Sequence, residues 1–219
     1  LFFWHKNPQK IRRTFTLLIK KNIVSRNKGA FMAAQNAFIP ALISKQGNKV
    51  SQNILVVASG ALLLALLAQI SFHLPFTPVP ITGQTFGVAL IALLWGKSRG
   101  VAAVMAYLTL GILGAPIFAF GASFLALGPS AGYLVGMLVA AYVMGSLADR
   151  GFTKSFSRTL LVALLGTVIT FSFGVLVLAI FIPKQFLLTQ GVLPFIPGDL
   201  LKMVAVSLMV TPLTQRSHE

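Results

Sequence analysis

The 219-residue chain contains no cysteine, and only three acidic residues stand against 18 lysines and arginines. Without cysteine there is no disulfide, no thiolate zinc or iron–sulfur site and no thiol nucleophile. The acidic residues Asp149, Asp199 and Glu219 are scattered, so no carboxylate or histidine–carboxylate metal cluster is expected. A membrane aspartyl protease needs two aspartates sharing one site, and only Asp199 is placed for that. Gly121-Ala-Ser123 superficially resembles the nucleophile motif of an intramembrane serine protease. Its base would have to be a histidine at helix depth, but His5, His73 and His218 lie near the ends or in a loop. No phosphate-binding Gly-x-x-x-x-Gly-Lys loop occurs. These absences predict no catalytic set, no metal and no cofactor, so the chain is not expected to be an enzyme.

Charge of any sign is also scarce. Charged residues make up 10% of the chain, where soluble domains carry about a quarter. Hydrophobic residues make up 56%, and the mean hydropathy is +0.86. So few charges cannot wet a surface of this size, and most of the exterior is expected to face lipid. In a soluble protein a net charge of +15 would suggest nucleic acid. Here it reads as a topology signal and as attraction to anionic membrane lipid.

About 20 apolar residues are needed to cross the hydrocarbon, with tilted or broken spans varying around that, and six runs are candidates: Ile54–Phe72, the short Ile81–Trp95, Val101–Phe120 with a break near Gly114 and Pro116, Ala131–Ala148, Leu160–Ile182 and Asp199–Leu213. The second follows the proline-rich Pro75-Phe-Thr-Pro-Val-Pro80, and Val192–Pro197 reads as a non-helical lead-in to the last. The runs lack the alternation of a membrane barrel, so the fold expected is an all-α polytopic membrane protein. With six crossings, 16 of the 18 basic residues fall on one side, and Lys184 alone lies in an opposite loop. The positive-inside rule then places both termini in the cytoplasm. The expected organisation is a basic extension over 1–50, a membrane domain over 51–213 and a tail over 214–219. The extension reads either as a basic amphipathic segment on the inner leaflet or, more plainly, as sequence upstream of a true start at Met32.

Asp199 and Lys202, in Pro197-Gly-Asp-Leu-Leu-Lys202, share one helix face at the outer entrance of the last run. Charges within membrane helices usually mark function. The bland account makes Asp199 an N-cap neutralised by Lys202. The other has the carboxylate and the ammonium grip two ends of a small polar ligand. Thr77, Thr82, Gln84, Thr85, Ser123, Ser130 and Tyr133 fall on the same outer side, and Tyr107 is mid-span. Singly each reads as a cap or an interhelical hydrogen bond; together, beside glycine- and proline-broken backbone, they suggest a cavity near the outer face. Ala58, Ala61, Ala65 and Ala68 form a stripe of small residues on the first run. It permits close helix approach, either to the protein's own helices or to another membrane subunit. Polarity is confined to the outer half of the spans, which disfavours a channel and favours a binding cup.

The stretches Pro75–Phe86, Tyr107–Ala119, Leu127-Gly-Pro-Ser-Ala-Gly-Tyr-Leu134 and Phe195-Ile-Pro-Gly-Asp-Leu-Leu-Lys202 resemble the BioY family, the biotin-binding substrate subunits of energy-coupling-factor transporters. The resemblance covers about residues 53–213. It implies a vitamin-binding subunit of the bacterial inner membrane that performs no chemistry and works with a transmembrane coupling subunit and two ATPases, or alone. It implies biotin contacts from Asp199 and Lys202, with Gln84, Tyr133, Thr82, Tyr107 and Phe118 as further candidates. It also implies docking of the coupling subunit on the alanine stripe. Which of Asp199 and Lys202 meets which end of biotin stays open; carboxylate to ureido N–H and ammonium to valerate is electrostatically cheaper. The chain departs from the family pattern at Phe120-Gly-Ala-Ser-Phe124, where a Gly-Gly-rich stretch is expected, and at Pro129-Ser-Ala131. The rival readings are a substrate subunit for another vitamin and a membrane scaffold.

Overall fold

The computed structural model describes residues 49–123 and 128–216. Nearly all of the basic extension, Met32 and the end of the tail lie outside the described residues. The elements in order are α1 (Lys49–Gln69), β1 (Ser71–Phe72), β2 (Ile81–Thr82), α2 (Gln84–Ile112), α3 (Ala131–Asp149), α4 (Phe156–Leu178), the short α5 (Leu187–Gly191) and α6 (Ile196–Arg216). Among the described residues, five helices are long and apolar enough to cross a membrane: α1, α2, α3, α4 and α6.

Five helices rather than six follow from the continuity of α2, which absorbs the second and third apolar runs. It is not straight. Gly96 interrupts it with φ 76 and ψ −177, a backbone region essentially confined to glycine. Residues 84 and 107 of a straight helix would stand roughly 35 Å apart, yet the Gln84 amide donates to the Tyr107 hydroxyl at 2.6 Å. The element is therefore a hairpin of two antiparallel arms, 84–95 and 97–112. A Cβ on Gly100 would sit 3.0 Å from the Ala92 Cα, so the arms meet backbone to backbone near the bend. Gly96→Ala should destabilise the protein by ~1–3 kcal/mol, seen as a lower midpoint of thermal unfolding in detergent.

The break expected near Gly114 and Pro116 in the third run is found: helix ends at Ile112, Gly114 takes φ 102, and Pro116 cannot continue the hydrogen-bond ladder. Other boundaries shift. The first run ends at Gln69, and Ser71 and Phe72 pair antiparallel with Thr82 and Ile81. This two-residue ribbon is the one departure from an all-helical fold among the described residues. The Leu160–Ile182 run begins earlier, at Phe156, and ends at Leu178. The last helix starts at Ile196, three residues before Asp199.

Packing follows size. The interior is rich in alanine: Ala89, Ala92, Ala103, Ala140, Ala141, Ala148 and Ala163 are almost wholly enclosed. Many large aliphatic residues are outside, with Leu55 72% and Leu176 70% exposed, although Leu64, Ile91, Leu93 and Leu178 are buried. Small residues inside and leucine outside is the distribution expected where lipid is the solvent and helices must approach closely. Most buried hydroxyls bond within the protein, as Ser207 does to the Met203 carbonyl at 2.7 Å and Thr159 to Thr211 at 3.0 Å, the Thr153 hydroxyl being an exception without a partner among the described residues. α2 packs between α1 and α3, α3 against α4, and α6 closes against α4 and α2.

Candidate functional site

A cavity of about 400 Å³ lies where the β1–β2 loop, the start of α2, the turn around Phe118–Ala122, the start of α3 and the start of α6 converge. Its size falls in the usual range for small-molecule sites. Local sequence accounts for each wall. Pro75, Pro78 and Pro80 restrict the backbone of the β1–β2 loop, which turns at Pro75–Phe76, and the Thr77 hydroxyl pins it by donating to the Gln190 carbonyl at 2.6 Å. The 84–95 arm is shorter than its 97–112 partner, so Gln84 and Thr85 stand at its open end and line the cavity.

The polar corner is built by α2 and α6. Asp199 is 3% exposed, and its Oδ1 accepts from the Lys202 ammonium at 2.7 Å and from the Thr85 hydroxyl at 3.0 Å. Lys202 Nζ also donates to the Thr82 carbonyl at 2.8 Å and to the Thr85 hydroxyl at 3.3 Å. An ammonium has three protons to donate, and all three are engaged inside the protein. Asp199 is different, because its Oδ2 is buried with no hydrogen-bond partner among the described residues. Such an orphan acceptor is costly to bury and needs an explanation. Nor does Asp199 cap its helix: it lies in the first turn, its own N–H bonds the Phe195 carbonyl at 2.9 Å, and its side chain reaches across to α2.

A second network backs this corner. The Thr82 hydroxyl donates to Gln84 Oε1 at 2.9 Å, Gln84 Nε2 donates to Tyr107, and the Tyr107 hydroxyl donates to the Ile117 carbonyl at 3.2 Å. The opposite wall is aromatic. Tyr133, Phe171 and Phe195 form a mutual cluster with ring centroids 6.0–6.3 Å apart, and the Tyr133 hydroxyl is satisfied by the Gly191 carbonyl at 2.7 Å. Near the mouth, the His73 and Phe120 rings stack at 4.1 Å and 15°.

Of the residues singled out from the sequence, Asp199, Lys202, Gln84, Tyr133, Thr82 and Phe118 line this one cavity. Tyr107 does not. It is buried behind Gln84, and Phe118 meets its ring edge-on. Ala58, Ala61 and Ala65 line a separate apolar groove of about 730 Å³ between α1 and the second arm of α2. Ala68 is enclosed in the core instead. Phe171, His73, Phe120 and Met137 also line the cavity and were not selected from the sequence. Phe171 is one of several aromatics on an apolar helix, where nothing local separates a wall residue from a lipid-facing one. Phe195 begins the Phe195–Lys202 stretch, and that proximity was a usable signal.

The family described as the BioY family matches residues 33–219. The chain belongs to the BioY family. Among its relatives, the biotin transporter BioY of Thermotoga maritima is 36% identical over 149 residues, 67% of this chain and 87% of that protein. The biotin transporter BioY of Rhizobium etli is 34% identical over 169 residues, 71% and 89% of the two chains. A crystal structure of the S-component for biotin from an ECF-type ABC transporter superposes with a TM-score of 0.70 at 27% identity, covering 77% of this chain and 93% of that one. The family and the apolar helices together make this a multi-pass membrane protein, and the BioY relatives are named for transport rather than catalysis.

Proposed function

We propose that this protein captures biotin as the substrate-binding subunit of an energy-coupling-factor transporter and so serves biotin uptake. The observation that carries the reading is the buried Asp199 carboxylate, which lines a ligand-sized cavity with one oxygen unpartnered. That oxygen suits an N–H donor, and the ureido ring of biotin presents two. The ring system and alkyl tail of biotin are apolar enough for the wall of Tyr133, Phe171, Phe195 and Phe118. Because every Lys202 proton is already engaged, the lysine's task is to fix Asp199 Oδ1, leaving Oδ2 toward the cavity, and to tie α2 to α6. A charge-assisted bond from ligand N–H to carboxylate is stronger than a neutral one, which favours the ureido end at Asp199.

The proposed arrangement in the membrane has six crossings, the two arms of α2 each counting as one, with the bend at Gly96 and the Lys97/Arg99 pair on the cytoplasmic side. The cavity then opens outward, both termini lie in the cytoplasm, and the membrane is the bacterial inner membrane with anionic lipid against the basic loops. The groove lined by Ala58, Ala61 and Ala65 receives the transmembrane coupling subunit, which brings two ATPase subunits.

Calorimetric titration of the purified protein with biotin, riboflavin and thiamin tests the ligand. The expected result is saturable 1:1 binding of biotin, with heat from the other two no greater than dilution. Preference for either of those vitamins would move the protein to another substrate, and silence with all three would leave only the scaffold reading.

A further inference from the structure

Gln69, the last residue of α1, makes a set of hydrogen bonds that the reading above does not use. Its Nε2 donates to the Phe118 carbonyl at 3.1 Å, the Ile117 carbonyl at 3.4 Å and the Ala65 carbonyl of its own helix at 3.2 Å. Its Oε1 accepts the Gly121 N–H at 3.1 Å. One planar amide therefore grips both ends of the Phe118–Gly121 turn. At the centre of that turn Phe120 has φ 59 and ψ 27, a left-handed conformation that a bulky residue keeps only where its surroundings hold it. Phe118, Ala119, Phe120 and Ala122 all line the cavity, whereas Gln69 does not. Through the stack of Phe120 on His73, the same turn is joined to the β1–β2 loop across the mouth.

We propose that Gln69 is a positioning residue for ligand retention: it locks the Phe118–Gly121 turn, and with it the Phe120–His73 contact, in the closed arrangement without touching the ligand. The chemistry requires an amide at this position. Two carbonyls accept from this side chain and one N–H donates to it, in addition to the Tyr107 bond to Ile117 and the turn's own Gly121-to-Phe118 bond, and only a glutamine or asparagine side chain carries both donor and acceptor in a neutral group; asparagine is a methylene shorter. When those bonds are removed, the strained Phe120 backbone is held only by the turn's own bonds, Gly121 N–H to Phe118, Phe118 N–H to Ala122 and Ala122 N–H to Ala119, and the His73 stack opens more readily. In this proposal a bound molecule leaves through that opening, so the effect falls on release. The proposal rests on the cavity being the biotin site.

The test measures association and dissociation rates of labelled biotin on the full chain in detergent, for wild type and Gln69→Met, alongside the ligand-free unfolding midpoint. Methionine keeps the length and removes every hydrogen bond of the side chain. Dissociation is expected to quicken roughly ten-fold, as loss of one to two net hydrogen bonds implies, with association no slower and the ligand-free midpoint within a few degrees of wild type. Wild-type release from the folded variant overturns the proposal, and so does a loss carried by slower association. If Gln69→Met does not fold, hydrogen exchange on the unsubstituted protein decides. Amides of 117–123 are expected to gain roughly ten-fold protection on biotin addition, and unchanged exchange overturns the idea. A wild-type chain that binds no biotin removes this proposal together with the reading beneath it. Binding with unaltered release in Gln69→Met removes this one alone.

Discussion

Asn in place of Asp199 should weaken biotin binding by roughly 10- to 150-fold, the equivalent of ~1.5–3 kcal/mol for a hydrogen bond to a charged group. The substitution is nearly isosteric. A carbonyl oxygen can still accept from Lys202 and Thr85, so the α2–α6 junction should persist. What changes is the unpartnered position: either the acceptor there becomes an amide donor, which repels a ligand N–H, or the amide flips and repels Lys202. Lys202→Met is harsher. It leaves a buried carboxylate without its counter-ion and breaks the bonds to Thr82 and Thr85. Removing one partner of a buried ion pair costs about 3–5 kcal/mol, so this variant should lose both affinity and thermal stability. Calorimetry with biotin, paired with ligand-free unfolding curves, separates the two effects. If Asp199→Asn binds biotin as tightly as wild type, the carboxylate is not the ligand's acceptor and the site assignment fails.

The second large effect concerns the groove on α1. Ala58→Leu combined with Ala65→Leu should leave biotin affinity within about two-fold of wild type, because neither residue lines the ligand cavity. The same variant should lose co-purification with a coupling subunit and lose uptake. Two leucines would fill a groove whose small side chains allow close helix approach. Ala61 is a poorer choice for this test, since it is only 6% exposed and a leucine there would press into the core. Wild-type uptake by the double variant would return the stripe to internal packing. Loss of biotin binding as well would mean that the groove supports the fold rather than a partner.

Much of the site could be read before any coordinates. Asp199 and Lys202 stand out because ionisable residues are rare in this chain, and a membrane makes each one near a helix expensive. The glycine- and proline-broken segments likewise announce irregular backbone, which membrane proteins tolerate only where it is buried in protein or lines a cavity. The helix limits were read less well at three places. Ser71 and Phe72 leave α1 for a ribbon too short to leave a pattern, α4 runs from Phe156 to Leu178 rather than from Leu160 to Ile182, and Ile196 starts α6 before its charged residues. The bend at Gly96 sits in a stretch where glycine, lysine and arginine mark a reversal in the sequence, and the helix nonetheless runs on through it on either side.

Other features had no signature along the chain. Phe171 differs from its lipid-facing neighbours only in where α4 happens to lie. Tyr107 reads as a pocket residue or an interhelical one with equal ease, and only the packing of the two α2 arms sets it behind Gln84. Gln69 reads as a lone polar residue at the end of an apolar run, and its role follows from carbonyls nearly fifty positions away.

Apolar run length, the sidedness of lysine and arginine and the scarcity of acid were enough to make this chain a polytopic helical membrane protein with one suspect ion pair, because transfer into lipid is an additive property of each segment. The choice of which oxygen of Asp199 is left without a partner, which alanines face a groove and which a core, and which glutamine bonds the Phe118–Gly121 turn belonged to the tertiary structure alone. Those outcomes depend on contacts between residues roughly 50 to 120 positions apart, and hydropathy, which sums along the chain, carries no information about how distant segments pack together.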